Sequence, residues 1–347
     1  MKKIFTAFLF VGFYSAGLIL LQAFILLQTS AALAQVHPDL EWKIRKLPHF
    51  DLIYDAKHQD LADLYAIRLE NSVTLLSKVF TEIPSRTVVT LLDRTDQPNG
   101  SATAFPYDWI TVYPILPSPW ETISDYGDWS QELVNHEYTH ILSFAPRRGV
   151  VKALYYGFGN IITPNLLLPR WWLEGIAVEM ETRTSQHGRL RSPNQDATLR
   201  AFEIDNRWSE FNVATINETS IPTFPQGARP YLFGSLIWSQ AMKDNQTEKV
   251  NDLHWRYAGR FPFLLESPAA EILGKPYDYL FEDTLQDLHQ RTQLQLEQIR
   301  KANASNFKPL LNKKVETYSA SLSPDGLKLA FLYKDETLKR SVKILKR

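Results

Sequence analysis

The stretch His136-Glu137-Tyr138-Thr139-His140 sets two imidazoles four residues apart. On an α-helix that spacing puts both rings on one face, where they suit two ligands of a single tetrahedral zinc ion. Glu137 stands beside them, angled to reach a water on such an ion rather than the ion itself. The flanks are compatible with a helix: Gln131, Glu132, Leu133 and Val134 come before, Ile141 and Leu142 after. Asp128 is placed to cap it, with Gln131 three residues on in a capping-box arrangement. The plain alternative is a pair of surface histidines on an amphipathic helix.

A third ligand decides the class of site. The metzincin arrangement needs a histidine six residues after the second, with glycine at the third. Pro146 and Ser143 occupy those positions, so that arrangement fails. Residues 169–181 read P-R-W-W-L-E-G-I-A-V-E-M-E, with Glu174 inside an otherwise apolar helical segment. A carboxylate there is costly unless it is paired or binds metal. Gly175 and Ala177 are small and allow close packing against the first helix. Glu181 follows two turns along the same face and can orient a ligand histidine from behind. The alternative for Glu174 is a helix salt bridge to Arg170. The chain has no cysteine, so a metal must be held by His, Asp or Glu.

H-E-x-x-H followed by W-x-x-E-G-x-A (Trp171 to Ala177) resembles the gluzincin metallopeptidases, and specifically the bacterial peptidase MA-like domains, over about residues 45–300. The resemblance implies a Zn2+ cofactor held by His136, His140 and Glu174, Glu137 as general base, and a peptide or protein substrate. The 34 positions from His140 to Glu174 are a wider gap than the best-known gluzincins show. Tyr231-Leu232-Phe233-Gly234 resembles the Y-x-x-G element of the related aminopeptidases, which implies a catalytic Tyr231 hydroxyl facing the developing oxyanion. An ordinary packed aromatic is the alternative. The resemblance further implies an edge strand near Asn99-Gly100-Ser101-Ala102-Thr103-Ala104 that holds the substrate backbone, with Asn99, Gly100 and Ala102 as substrate-binding residues. The alternative is a plain hairpin, with Asn99-Gly100 as a turn.

Outward from these motifs, the 347 residues divide into four expected parts. Residues 1–34 read as a signal peptide: Lys2 and Lys3, an apolar run from Ile4 to Leu27, and an Ala32-Leu33-Ala34 cleavage site. Its removal leaves a net charge of −2; if uncleaved, the segment is long enough to anchor the chain in a bilayer. The expected location is the bacterial periplasm. Residues 35–125 alternate strand and helix signals and predict an N-terminal mixed sheet. Residues 126–305 are helical and form the zinc-site lobe, so the fold class is α+β. Residues 306–347 contain Ser323-Pro324-Asp325-Gly326 before the strand-like Leu327–Tyr333, which resembles the signature of TolB-like β-propeller blades. Too few residues remain for a whole blade, so only a partial one is expected.

Lys and Arg balance Asp and Glu at 38 each, which leaves no basic excess for a nucleic-acid partner. Residues 147–168 are apolar and aromatic with Arg147, Arg148 and Lys152 at their start. They cap the site, touch a membrane surface peripherally, or pack as a core hairpin between the two ligand helices; the shared apolar contact those helices need favours the hairpin. A catalytically silent envelope scaffold for protein interactions is the rival to the enzyme. Oligomeric state is not legible.

Overall fold

The computed structural model describes residues 39–118, 123–220, 222–243, 246–260, 265–302, 316–334 and 340–346. The expected signal peptide at 1–34 lies outside the described residues. Ile44–Tyr54 and the residues from His58 onward form one compact unit. The described residues 39–43 and 55–57 belong to another, within which Ala56 N donates to Glu41 O at 2.8 Å.

Strands β1 (Trp42–Lys46), β2 (Phe50–Asp55), β3 (Thr87–Leu91), β4 (Asn99–Thr103) and β5 (Trp109–Tyr113) make a mixed sheet in the order β1-β2-β3-β5-β4. Helix α1 (Gln59–Leu76) joins β2 to β3. The strands β2, β3 and β5 run parallel, and β4 pairs antiparallel with β5, Asn99 opposite Tyr113. Alternate residues Phe50 and Leu52, Val89 and Leu91, and Ile110 and Val112 are buried, as a period of two requires when one face meets a core. Asn99-Gly100 is not a turn: both residues lie inside the edge strand β4. Asn99 Oδ1 accepts from Gly100 N at 2.9 Å, a local bond of the kind that makes Asn-Gly look like a turn signal, but the β5 ladder wins.

The helices that follow are α2 (Trp129–Phe144), α3 (Gly149–Phe158), α4 (Arg170–Arg183), α5 (Pro193–Ile204), α6 (Arg229–Ala241), α7 (Glu248–Tyr257), α8 (Glu266–Leu273) and α9 (Tyr277–Lys301). Asp128 caps α2, accepting from Gln131 N at 3.1 Å. The reciprocal half of the capping box does not form. Gln131 instead donates to Arg68 O on α1 and to Asn135 Oδ1, and accepts from Asn71, so its side chain ties α2 to α1. Every residue from Gln131 to Phe144 is buried, with α1, α4, β4 and β5 packed around the helix. The two histidines are therefore core residues, not surface ones.

Helices α4 and α6 approach through a pair of glycines. A Cβ on Gly234 would lie 2.0 Å from the Trp171 carbonyl oxygen, and one on Gly175 would lie 2.4 Å from the Gly234 carbonyl carbon. Beside this crossing Trp172 packs edge-on against Trp238, donates Nε1–H to the Tyr277 hydroxyl at 2.7 Å, and accepts at its carbonyl from Trp238 at 2.8 Å. His254 of α7 sits against Trp172, with Nδ1 2.6 Å from the Val250 carbonyl and Nε2 2.9 Å from Ser143 Oγ of α2. The Val250 carbonyl must accept, so the neutral ring carries its proton on Nδ1, and its Nε2 faces the Ser143 hydroxyl, which also donates to the Thr139 carbonyl at 2.8 Å. Complete burial pulls this imidazole down to about 4.

Helix α3 does not pack between the ligand helices, and of residues 147–168 only Thr163, Asn165 and Leu168, at the far end, are buried. No residue of α3 is buried, and the expectation of a core hairpin is overturned. The Gly175/Gly234 contact brings α4 directly against α6, while α2 and α4 touch each other without an intervening segment. The tail forms β6 (Glu316–Leu322), β7 (Lys328–Lys334) and β8 (Arg340–Lys346), an antiparallel three-stranded sheet. Ser323-Pro324-Asp325-Gly326 is its first turn, with Gly326 at φ +70° and Asp325 accepting from Leu327 N. A blade needs four strands; no propeller is seen among the described residues.

Gly234→Ala forces α4 and α6 apart and lowers stability by about 1–3 kcal/mol; a urea midpoint equal to wild type would refute the close crossing. For His254 the folded pKa lies below the unfolded value near 6.5, so its contribution is complete above pH 6.5 and lost as pH falls toward 4. At about 1.4 kcal/mol per unit this amounts to roughly 3 kcal/mol. Urea titrations between pH 7 and pH 4.5 should show that slope, and His254→Gln should flatten it.

Candidate metal centre

His136 and His140 leave α2 one turn apart, their ring centroids 5.0 Å from each other. Glu174 reaches them from α4. Its Oε2 lies 3.4 Å from His136 Nε2 and 3.3 Å from His140 Nε2. One ligand atom from each of the three falls within 4.8 Å of the other two, the only such group of His, Asp and Glu among the described residues. Two imidazole nitrogens and a carboxylate oxygen directed at one point are a three-ligand set with a fourth position open, which fits zinc. The salt bridge to Arg170 forms as well: Glu174 turns Oε1 toward Arg170 Nε at 3.4 Å while Oε2 faces the rings.

His136 is held from behind. Its Nδ1 lies 3.0 Å from Glu181 Oε2. Arg189, which no spacing in the sequence marks, grips the same carboxylate with Nε and Nη2, both at 2.7 Å, and its Nη2 lies 2.9 Å from His136 Nδ1. Burial pushes the Glu181 carboxyl up, but the guanidinium and His136 outweigh it and hold it at about 2. Burial pulls His136 down, but hydrogen bonds with Glu174 and Glu181 outweigh that and raise it to about 9. Burial also opposes ionisation of Glu174, and the two imidazoles bring its pKa well below the ordinary carboxylate range. The cluster thus attracts positive charge to the point between the rings. Glu137, Glu174 and Glu181 bring three carboxylates to this site, with the Arg170 and Arg189 guanidinium groups paired to two of them.

Glu137 follows His136 on α2 and is buried. Desolvation raises its pKa, partly offset by His136 and His140. Gly100 of β4 lies flat on this carboxylate: a Cβ at position 100 would stand 2.6 Å from Glu137 Cγ and Oε1. Glycine is needed here for that close approach, not for a turn. Tyr231, at the start of α6, stacks on the His136 ring at 6.2 Å. Its hydroxyl accepts from Arg170 Nη2 at 3.2 Å, and Arg189 lies over its ring at 5.1 Å. Burial, reinforced by the Glu174 charge, raises the phenol's pKa, so it stays protonated.

These groups line a cavity of about 810 Å³, inside the range of pockets that enclose small ligands. Asn99, Gly100 and Ala102 of the edge strand line one wall; Tyr231 and Arg170 stand on another. All nine residues singled out in the sequence therefore meet at one cavity. Arg170 was marked only as a helix partner of Glu174, and Arg189 was not marked by motif spacing at all. The only hint for Arg189 is the preceding Gly188, at φ +99°, which turns the chain back onto α4.

No family model and no curated protein matches the chain. Among solved structures it is similar to Legionella pneumophila aminopeptidase A in complex with aspartic acid, at 12% identity, TM-score 0.43, over 89% of this chain and 35% of that one. It is also similar to an M1 zinc metallopeptidase from Deinococcus radiodurans, at 13% identity and TM-score 0.37, over 71% of this chain and 51% of that one. A mutant of that enzyme bound to a Tyr-Ser-Ala substrate gives 13% identity and TM-score 0.36. The chain spans about a third to a half of the length of these structures. Likeness at this level leaves the functional case to the site itself.

Glu181→Gln should weaken zinc binding roughly tenfold or more by releasing His136. Competition against a chromogenic chelator measures it; unchanged affinity would show that the carboxylate has no hold on the ring.

Proposed function

We propose that the chain is a zinc-dependent peptidase of the gluzincin kind, acting on peptide or protein substrates in the bacterial envelope. The observation that carries this reading is the convergence of His136, His140 and Glu174 on one point, with Glu137 beside them and a cavity in front.

His136, His140 and Glu174 would hold the ion. Zinc, when bound, supplies a Lewis acid for the scissile carbonyl and makes water acidic enough to attack near neutral pH. Glu137 is the general base: its carboxylate takes a proton from the attacking water and delivers it to the leaving amine nitrogen. Burial raises its affinity for that proton. Tyr231 donates its hydroxyl hydrogen to the developing oxyanion. Arg170 already donates to the phenol oxygen, which leaves the phenol's own hydrogen for the cavity. Strand β4 pairs with β5 along one edge, and its other edge offers backbone groups to an extended substrate. The Gly100 contact places that edge beside the base.

The Lys2-Lys3, apolar and Ala32-Leu33-Ala34 segments support a periplasmic site of action, or an anchored one where the leader is retained. The three-stranded tail and its S-P-D-G turn support reading 306–347 as an incomplete TolB-like blade.

Digestion of a peptide library by the purified chain should give cleavage that a chelator stops and zinc restores. Glu137→Gln should abolish turnover while one zinc per chain is retained. Full activity in that variant would remove Glu137 as base. A chain that binds no stoichiometric zinc and cleaves no peptide would establish the scaffold reading.

A further inference from the structure

The segment between the two ligand helices turns its apolar side chains outward. Val150 is 76% exposed, Tyr156 77%, Phe158 65%, Ile161 60% and Leu167 64%, with Leu154 between them. Large apolar residues scattered singly are ordinary on a surface; a run of this size on one excursion is not.

The excursion is firmly built. Arg147 closes its base, donating to the carbonyls of Phe144 and Ala145 on one side and to Ile162 O and Thr163 Oγ1 on the other. Its guanidinium lies 4.8 Å from the Tyr155 ring centroid. Asn160 donates to Ala104 O at 2.8 Å, and Asn165 donates to Ser143 O at 2.9 Å and to His254 O at 3.1 Å. The polar groups are thus used to fix the base, and the apolar ones are left at the tip. A segment that merely failed to fold inward would not be pinned at both ends.

Charge selects the occupant. No acidic residue stands anywhere between Glu137 and Glu174 in a chain that has 38 of them, while Arg147, Arg148 and Lys152 all fall in that interval. Arg147 is committed at the base; Arg148, which opens α3, and Lys152 in its first turn are exposed. Exposed cations flanking tyrosine, phenylalanine and aliphatic side chains are the composition of an element lying in the headgroup region of an anionic bilayer. Among the described residues no helix is long and apolar enough to cross a membrane.

We propose that α3 and the turns after it, residues 147–168, dock this protein on an anionic membrane surface, with the apolar tip in the headgroup–acyl boundary and Arg148 and Lys152 on the lipid phosphates. Leu166 and Leu168 of the same excursion line the cavity, so docking sets the mouth of the cleft beside the lipid. The inference stands independently of what the cleft hydrolyses.

The absence of cysteine makes the test clean. Tyr156→Cys and Ile161→Cys in the full chain each carry an environment-sensitive fluorophore, and Leu294→Cys, exposed on α9, serves as control. On vesicles of phosphatidylglycerol and phosphatidylethanolamine, the labels at 156 and 161 should shift to the blue and be quenched by lipids with brominated chains. The label at 294 should do neither. Arg148→Gln and Lys152→Gln should each reduce partitioning about fivefold, and pure phosphatidylcholine should abolish most of it. A label at 156 that stays in water at saturating vesicle concentration overturns the proposal. So does a blue shift without vesicles that grows with protein concentration, which would assign the patch to a second copy. Partitioning unchanged by loss of both cations overturns it too.

Discussion

One oxygen of Glu174 lies between the Nε2 atoms of His136 and His140, and the arrangement of the helical lobe follows from that contact. A carboxylate in an apolar helix is unfavourable by several kcal/mol without partners. Besides Arg170 on its own helix, its partners His136 and His140 are on α2, and α4 crosses close to α2 with that face turned inward. Gly175 and Gly234 let α6 lie against the back of α4 with no side chain between them. That closeness carries Tyr231 over the His136 ring. A single electrostatic requirement is thus translated, through two absent side chains, into the position of a phenol.

The same requirement runs outward through a second layer of charge. His136 is fixed from its far side by Glu181, and Glu181 is neutralised in turn by the paired donors of Arg189. Each link satisfies the one before it, so few polar atoms at the centre are left without a partner. Gly100 contributes from the other domain layer: the edge strand touches the Glu137 carboxylate only because position 100 has no Cβ. His136, Glu137 and His140 come from α2, Glu174 from α4 and the Gly100 contact from β4, so three elements meet at this centre.

Residues 147–168 are organised the opposite way. Inside the lobe, apolar side chains surround a charged centre; in the excursion, Arg147, Asn160 and Asn165 form the inner attachment and the apolar residues face outward. Composition alone does not separate these cases, because an apolar run reads the same whether it packs inward or outward. The two ligand helices make their shared contact directly, and the run joins the core only at its end, through Leu168.

Local chemistry made much of this protein legible before any coordinates. The H-E-x-x-H spacing, the acid Glu174 inside an apolar helical run, the two-turn step to Glu181 and the β-branched strand Thr87–Leu91 are periodic signals, and periodicity survives in one dimension. Arg189, the Arg170–Tyr231 contact, the role of Gly100 and the outward face of α3 did not show; the first three depend on partners far along the chain, His136, Tyr231 and Glu137. Asn99-Gly100 carried the local preference for a turn, and pairing with β5 overrode it. The amino-acid sequence by itself determined which groups can bind metal and move protons, since that is a property of side-chain type and helical spacing. Tertiary structure alone decided which of them meet, since meeting depends on how closely two backbones approach.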